Sequence, residues 1–117
     1  MGRVWVDAIV GNPERRNTVR VRALVDTGAT LTVIPRELAK KLGLRPTGRS
    51  VVETGTGRIE LERSRIWIEL EGRGEIVPVP ISDSIDKVLI GVATLEVLGL
   101  EVDPMTGRLR EWALLLY

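Results

Sequence analysis

Apolar and polar residues alternate with a period of two through much of the chain, and that period predicts strands. Val4, Val6 and Ala8 share one face, with Trp5, Asp7 and Ile9 on the other. Gly11-Asn12-Pro13-Glu14 signals a turn, after which Val19, Val21, Ala23 and Val25 form the apolar face of a second strand. Asp26 falls on the opposite parity, at the strand end where a loop can present it. Leu31-Thr32-Val33-Ile34 is a further apolar run. A short helix is predicted over 35–42, with Pro35 in its first turn and Gly43 at its stop.

From Arg49 onward the pattern returns to β. Val51-Val52-Glu53 and Ile59-Glu60-Leu61 flank Thr54-Gly55-Thr56-Gly57-Arg58, a hairpin with a glycine-rich tip. Ile66, Ile68 and Leu70 alternate with charged residues and Trp67. Ile76-Val77-Pro78-Val79-Pro80-Ile81 follows, and its prolines suit an edge or bulged strand. A polar loop spans 82–87. Val88-Leu89-Ile90 is a short buried strand and 92–98 a second helix. A last turn at 103–107 precedes Arg108-Leu109-Arg110. Together these elements predict a small, mostly β, barrel-like fold with one or two short helices. A length of 117 residues fits one domain, 1–117.

Composition narrows the chemistry. The chain has no cysteine and no histidine, which leaves no disulfide, no thiol nucleophile, no Ser-His-Asp triad and none of the usual zinc sites. Neither a metal nor a cofactor is expected. Among common hydrolytic solutions, carboxylate chemistry remains. Seventeen basic residues against sixteen acidic give a net charge of +1. The basic residues are scattered along the chain, and with no Phe and one Tyr little is available for base stacking, so no nucleic-acid partner is expected. The N-terminus lacks the apolar core of a signal peptide and no run is long enough to span a bilayer, so a cytoplasmic protein is expected.

Within this frame one segment stands out. Ala23-Leu24-Val25 leads into Asp26-Thr27-Gly28-Ala29, which occurs once in the chain. Asp-Thr-Gly by itself also makes an ordinary turn. Its neighbours add weight: an apolar run before it, Leu31 to Pro35 after it, and far downstream Leu89-Ile90-Gly91 ahead of a helix-like segment.

This combination resembles the retropepsin-like aspartic proteases, the single-domain family that includes retroviral proteases and small bacterial and archaeal relatives. The resemblance covers residues 19–109 and implies a small closed β-barrel of the retropepsin type. It also implies a peptide or protein substrate and a homodimer, because two carboxylates must face one water and this chain supplies one such motif. Asp26 of each copy would be catalytic. Held close, two such groups share a proton over a wide pH range, an established property of aspartic proteases; one then serves as general base and the other as general acid.

In the active-site loop, Thr27 would lock the two loops across the dimer, Gly28 would let a backbone N–H approach the carboxylate, and Ala29 would keep the floor small. Leu89, Ile90 and Gly91 would support that loop from behind. Residues 53–60 would form a flap over bound peptide, with Thr54, Gly55, Thr56 and Gly57 at its tip; Thr30 and Leu31 would line the near pocket. Retroviral enzymes commonly place Asp after Asp-Thr-Gly-Ala and pair it with Arg after the apolar-apolar-Gly. Here those positions are Thr30 and Val92, a joint change that leaves no charge stranded.

The resemblance implies that the apolar tail, 113–117, lies at the subunit interface, the alternative being a core strand within its own subunit, and Trp5, Trp67 and Trp112 are expected to pack. Two other readings compete. A catalytically silent module of the same fold would dimerise and bind peptide without cutting it. An unrelated β-barrel with an accidental Asp-Thr-Gly would be a monomer.

Overall fold

Strand β1 (Arg3–Gly11) and strand β2 (Thr18–Asp26) pair antiparallel along their whole length, from Arg3 opposite Asp26 to Gly11 opposite Thr18. The computed structural model describes residues 3–112. The predicted parity holds: Ala8, Val10, Ala23 and Val25 are buried, while Asp7, Arg20 and Arg22 are exposed. The turn between them runs over residues 12–17. The Asn12 side chain accepts the Asn17 N–H at 3.0 Å, and Arg15 adopts a left-handed backbone.

Helix α1 (Arg36–Leu42) follows the two-residue strand β3 (Ile34–Pro35), and Gly43 ends it in left-handed conformation. Pro35 is therefore the N-cap rather than a helical residue. Strand β4 (Gly48–Thr54) and strand β5 (Gly57–Leu70) form the predicted hairpin. β5 is one strand of 14 residues. The sequence pattern shows two strands there, because Glu62-Arg63-Ser64-Arg65 carries no apolar signal. Pairing with β4 on one side and with strand β6 (Arg73–Ser82) on the other carries the strand through that stretch.

The main sheet runs β3-β6-β5-β1-β2-β7, with β4 branching from β5 and strand β7 (Val88–Ile90) parallel to β2. Val33 and Leu89 exchange backbone hydrogen bonds of 2.8 and 3.0 Å, which brings the two ends of this path together. β6 is not an edge strand throughout, since β3 pairs with it at Ile81 and Ser82. Pro78 and Pro80 lie beyond that contact at the same parity, so their missing N–H groups break no second ladder.

Helix α2 (Val92–Leu98) ends at Gly99. Two strands, β8 (Leu100–Val102) and β9 (Leu109–Glu111), then form a separate hairpin; the sequence pattern shows only its turn. The core gathers Val10, Val25, Ile66, Ile68, Val79 and Ile90, each fully enclosed. Burial of each such side chain contributes about 1.5–3 kcal/mol. Of the three tryptophans, Trp67 packs over Gly74 with the Arg15 guanidinium 4.3 Å above its ring. Trp5 and Trp112 remain 49% and 37% exposed and are not core residues. Residues 113–117, the expected interface strand, lie outside the described residues.

The β8–β9 turn carries a pH dependence. The Asp103 carboxyl is held below the ordinary aspartate value, first by the Met105 N–H at 2.9 Å, then by Thr106 and by Arg110 at 3.4 Å. A carboxylate favoured by folding adds stability above its unfolded pKa of about 3.9, and that contribution is lost as pH falls through the lower folded value. The turn is thus expected to hold from neutrality to about pH 4 and to loosen below it. Protection of the Gly107 amide, which donates to the Asp103 carbonyl at 2.8 Å, is the readout. Asp103→Asn should remove the acid-dependent part, and an unchanged acid loss in that variant would count against the assignment.

Candidate active site

β2 delivers Asp26 as its last residue, and the chain turns immediately afterwards. The Gly28 N–H donates to Asp26 Oδ1 at 2.9 Å, and the Ala29 N–H donates to the Asp26 carbonyl at 3.0 Å. This tight turn holds the half-buried carboxylate at the strand end, with a backbone donor on its Oδ1 oxygen.

The loop is tied down from behind by Leu89, Ile90 and Gly91. Ile90 pairs with Val25 and Leu89 with Leu24, directly beneath the turn. The Val92 N–H donates to the Ala29 carbonyl and the Ala93 N–H to the Thr30 carbonyl, both at 2.9 Å. Backbone bonds therefore join the two loops at the positions, Thr30 and Val92, where retroviral enzymes commonly have a side-chain ion pair. Gly91 touches the loop so closely that a Cβ there would stand 2.5 Å from the Leu31 carbonyl carbon and 2.6 Å from the Thr30 and Leu31 oxygens.

One element of this support has no signature in the sequence. Thr32 and Thr94 are buried, at 0% and 3% exposure, with their hydroxyls 2.6 Å apart. Thr32 Oγ1 also accepts the Gly91 N–H at 3.1 Å. The only clue is a polar residue at a buried parity of an apolar run, and Thr94 is 62 residues away. Thr32→Val removes a partner from two enclosed polar groups at once. It is expected to lower stability by about 2–3 kcal/mol, and Thr32→Ser by much less. Urea unfolding of the two variants tests this; equal stabilities would sink the role of the hydroxyl.

Thr30 is exposed and Leu31 half-buried on the same loop. The hairpin tip is a two-residue turn between Thr54 and Gly57. Thr54 Oγ1 holds it, donating to the Gly57 carbonyl at 2.9 Å and accepting the Thr56 N–H at 3.3 Å. Of the two glycines only Gly57, at φ +132°, has a backbone that demands glycine. β4 pairs with β5 alone, so the tip extends from the sheet rather than joining the Asp26 loop through it. At the hairpin base, Arg36 bridges Glu62 and Asp83, fastening α1 to β5. Beside Thr27 lies a mainly apolar cleft of about 310 Å³, lined by Val92, Leu95, Leu100, Val102 and Trp112, with Glu96 and Glu101 also on its wall. Among the described residues no group of three His, Cys, Asp or Glu side chains could hold a metal ion, and no helix is long and apolar enough to cross a membrane.

None of the curated proteins matches the chain. Solved structures do. The EIAV protease, solved with an inhibitor, is 20% identical over 83% of this chain and 88% of its own, with a TM-score of 0.68. A retropepsin-like aspartic protease from Rickettsia conorii is 22% identical over 87% of this chain and 77% of its own, with a TM-score of 0.61. The retroviral protease-like domain of Ddi1 from Leishmania major is 20% identical over 95% of this chain and 89% of its own, with a TM-score of 0.60. At such identities the likeness establishes the fold: retropepsin-like, mostly β, with two short helices. The sequence profile described as "Aspartyl protease" matches residues 13–102, which takes in the Asp26 turn, the hairpin and the Leu89-Ile90-Gly91 support. The chain belongs to the aspartyl protease family.

Proposed function

We propose that the chain acts in the cytoplasm as a homodimeric aspartic endopeptidase, residues 1–117 forming one domain per subunit. The observation that carries this reading is the Asp26 carboxylate, which accepts the Gly28 N–H at a strand end tied to the β7–α2 junction. Two copies of Asp26 face one water. The ionised carboxylate takes a proton from that water as its oxygen bonds to the peptide carbonyl carbon. The protonated partner gives its proton to the carbonyl oxygen; the first carboxyl then passes the water's proton to the amide nitrogen as the tetrahedral intermediate collapses, the partner takes back a hydroxyl proton, and the C–N bond breaks.

Thr27, Gly28 and Ala29 shape the floor, with Thr30 and Leu31 beside the scissile bond, where Leu31 favours an apolar side chain. The 53–60 hairpin closes over the peptide and excludes water. The apolar cleft beside Thr27, with Trp112 at its rim, supports a second copy docking there.

A mixed peptide library, digested across pH ~3 to ~7 and read by mass spectrometry, tests the proposal against Asp26→Asn. Cleavage by the parent alone supports it and defines the preference. Cleavage by both proteins rules out Asp26 as the catalytic group. A dimer that binds but cuts nothing would establish the silent module instead, and a strict monomer would remove both dimer readings.

A further inference from the structure

Arginines that are scattered in the sequence converge where the hairpin leaves the sheet. Arg63 and Arg65 are two residues apart on β5, so they project from the same face about 7 Å apart. Ser64, Ile66 and Ile68 point the other way, into the core. Across the strands, Gly48 and Pro80 stand opposite Arg63, and Pro78 opposite Arg65. These residues surround a cleft of about 420 Å³ lined by Thr47, Gly48, Arg49, Arg63, Arg65 and Pro78. None of them belongs to the Asp26 loop.

No carboxylate lines this cleft. The hairpin's acids are engaged elsewhere: Glu53 with Arg58 at 3.0 Å, Glu60 with Arg49, and Glu62 with Arg36. Glu60 and Glu62 sit at the opposite parity from Arg63 and so on the other face of β5. Among the described residues, neither Arg63 nor Arg65 has a carboxylate within ion-pair distance. The wall behind them is firm. The Thr47 N–H donates to the Arg63 carbonyl at 2.7 Å, and the Ser64 hydroxyl donates to the Arg45 carbonyl at 2.6 Å. Two planar donor forks, uncompensated and set on one rigid strand, match an oxyanion that each can grip with paired N–H groups.

We propose that this cleft is a binding site for a tetrahedral oxyanion of the phosphate class, held between Arg63 and Arg65. The anion is either inorganic phosphate or a phosphate monoester on a peptide.

Backbone amide NMR of the full chain tests it, at constant ionic strength made up with chloride. Inorganic phosphate and a phosphoserine peptide are titrated separately, with the unphosphorylated peptide as control. Saturable shifts confined to residues 47–49 and 63–65 are expected at about 20 mM ligand or below. Arg63→Gln and Arg65→Gln should each weaken binding by about 10-fold, and Arg65→Lys, which keeps the charge but loses the fork, should weaken it as well. Arg20→Gln, on an exposed stretch of β2, should change nothing.

Response to both ligands identifies a free-anion site, and response to the peptide alone identifies a modified protein as the ligand. The proposal falls if these amides do not saturate with either ligand, or if binding survives in both glutamine variants. Exposed Arg65 makes its variants safe against misfolding, and a dispersed amide spectrum verifies each one.

Discussion

Asp26→Asn is expected to lower peptide cleavage by about 10³–10⁴-fold while leaving the fold and self-association in place. The amide keeps the size of the carboxylate and can still accept the Gly28 N–H through its oxygen, so the turn that holds residue 26 persists. What disappears is the group that takes a proton from water. A stronger form of the test uses mixed subunits. If each site needs Asp26 from two chains, a heterodimer with one Asn is inactive. With the variant in ninefold excess and subunits exchanging freely, the parent's activity should fall toward ~1% of the total-protein value, the square of its fraction, rather than ~10%. Linear dilution would show that one chain contains the whole site and would overturn the dimeric mechanism.

Gly91→Ala is expected to cost about 3 kcal/mol or more of stability and to lower Tm by roughly 10–15 °C. The reason is proximity rather than conformation. Gly91 has φ −91° and ψ 169°, an extended backbone open to any residue. Its added methyl, however, would meet the backbone of Thr30 and Leu31 at 2.5–2.6 Å, and backbone cannot rotate away. Relief requires the 26–31 loop to part from the start of α2, which breaks the Val92 and Ala93 hydrogen bonds and frees the support behind Asp26. Cleavage should therefore fall with stability. Gly55→Ala is the control, because a Cβ there meets nothing within 4 Å. A Gly91→Ala protein as stable as the Gly55→Ala protein would contradict the argument.

Arg63 shows how far a sequence pattern carries and where it stops. Its charge is plain to see, but its exposed neighbours depend on which strands lie beside β5. The same limit explains the long β5 itself. Residues 62–65 hold no apolar alternation, and their extended conformation comes from the β6 ladder, which runs through all four, and the β4 ladder, which reaches Arg63. β8 has three residues and a partner that begins seven residues later, too little pattern to register alone.

Local chemistry was sufficient for much of the molecule. Period-two alternation located β1, β2 and the hairpin, because strand faces repeat every second residue wherever the strand lies. Gly43 marked a helix end because left-handed backbone suits glycine in any fold. Asp26-Thr27-Gly28 announced a carboxylate at a strand end because parity and turn chemistry act over a few neighbouring residues. Tertiary structure alone decided which distant segments meet: Thr32 with Thr94, Gly91 with the Thr30 and Leu31 backbone, Arg63 and Arg65 with Thr47. Those contacts arise from strand order and close packing, which depend on the whole chain burying one core.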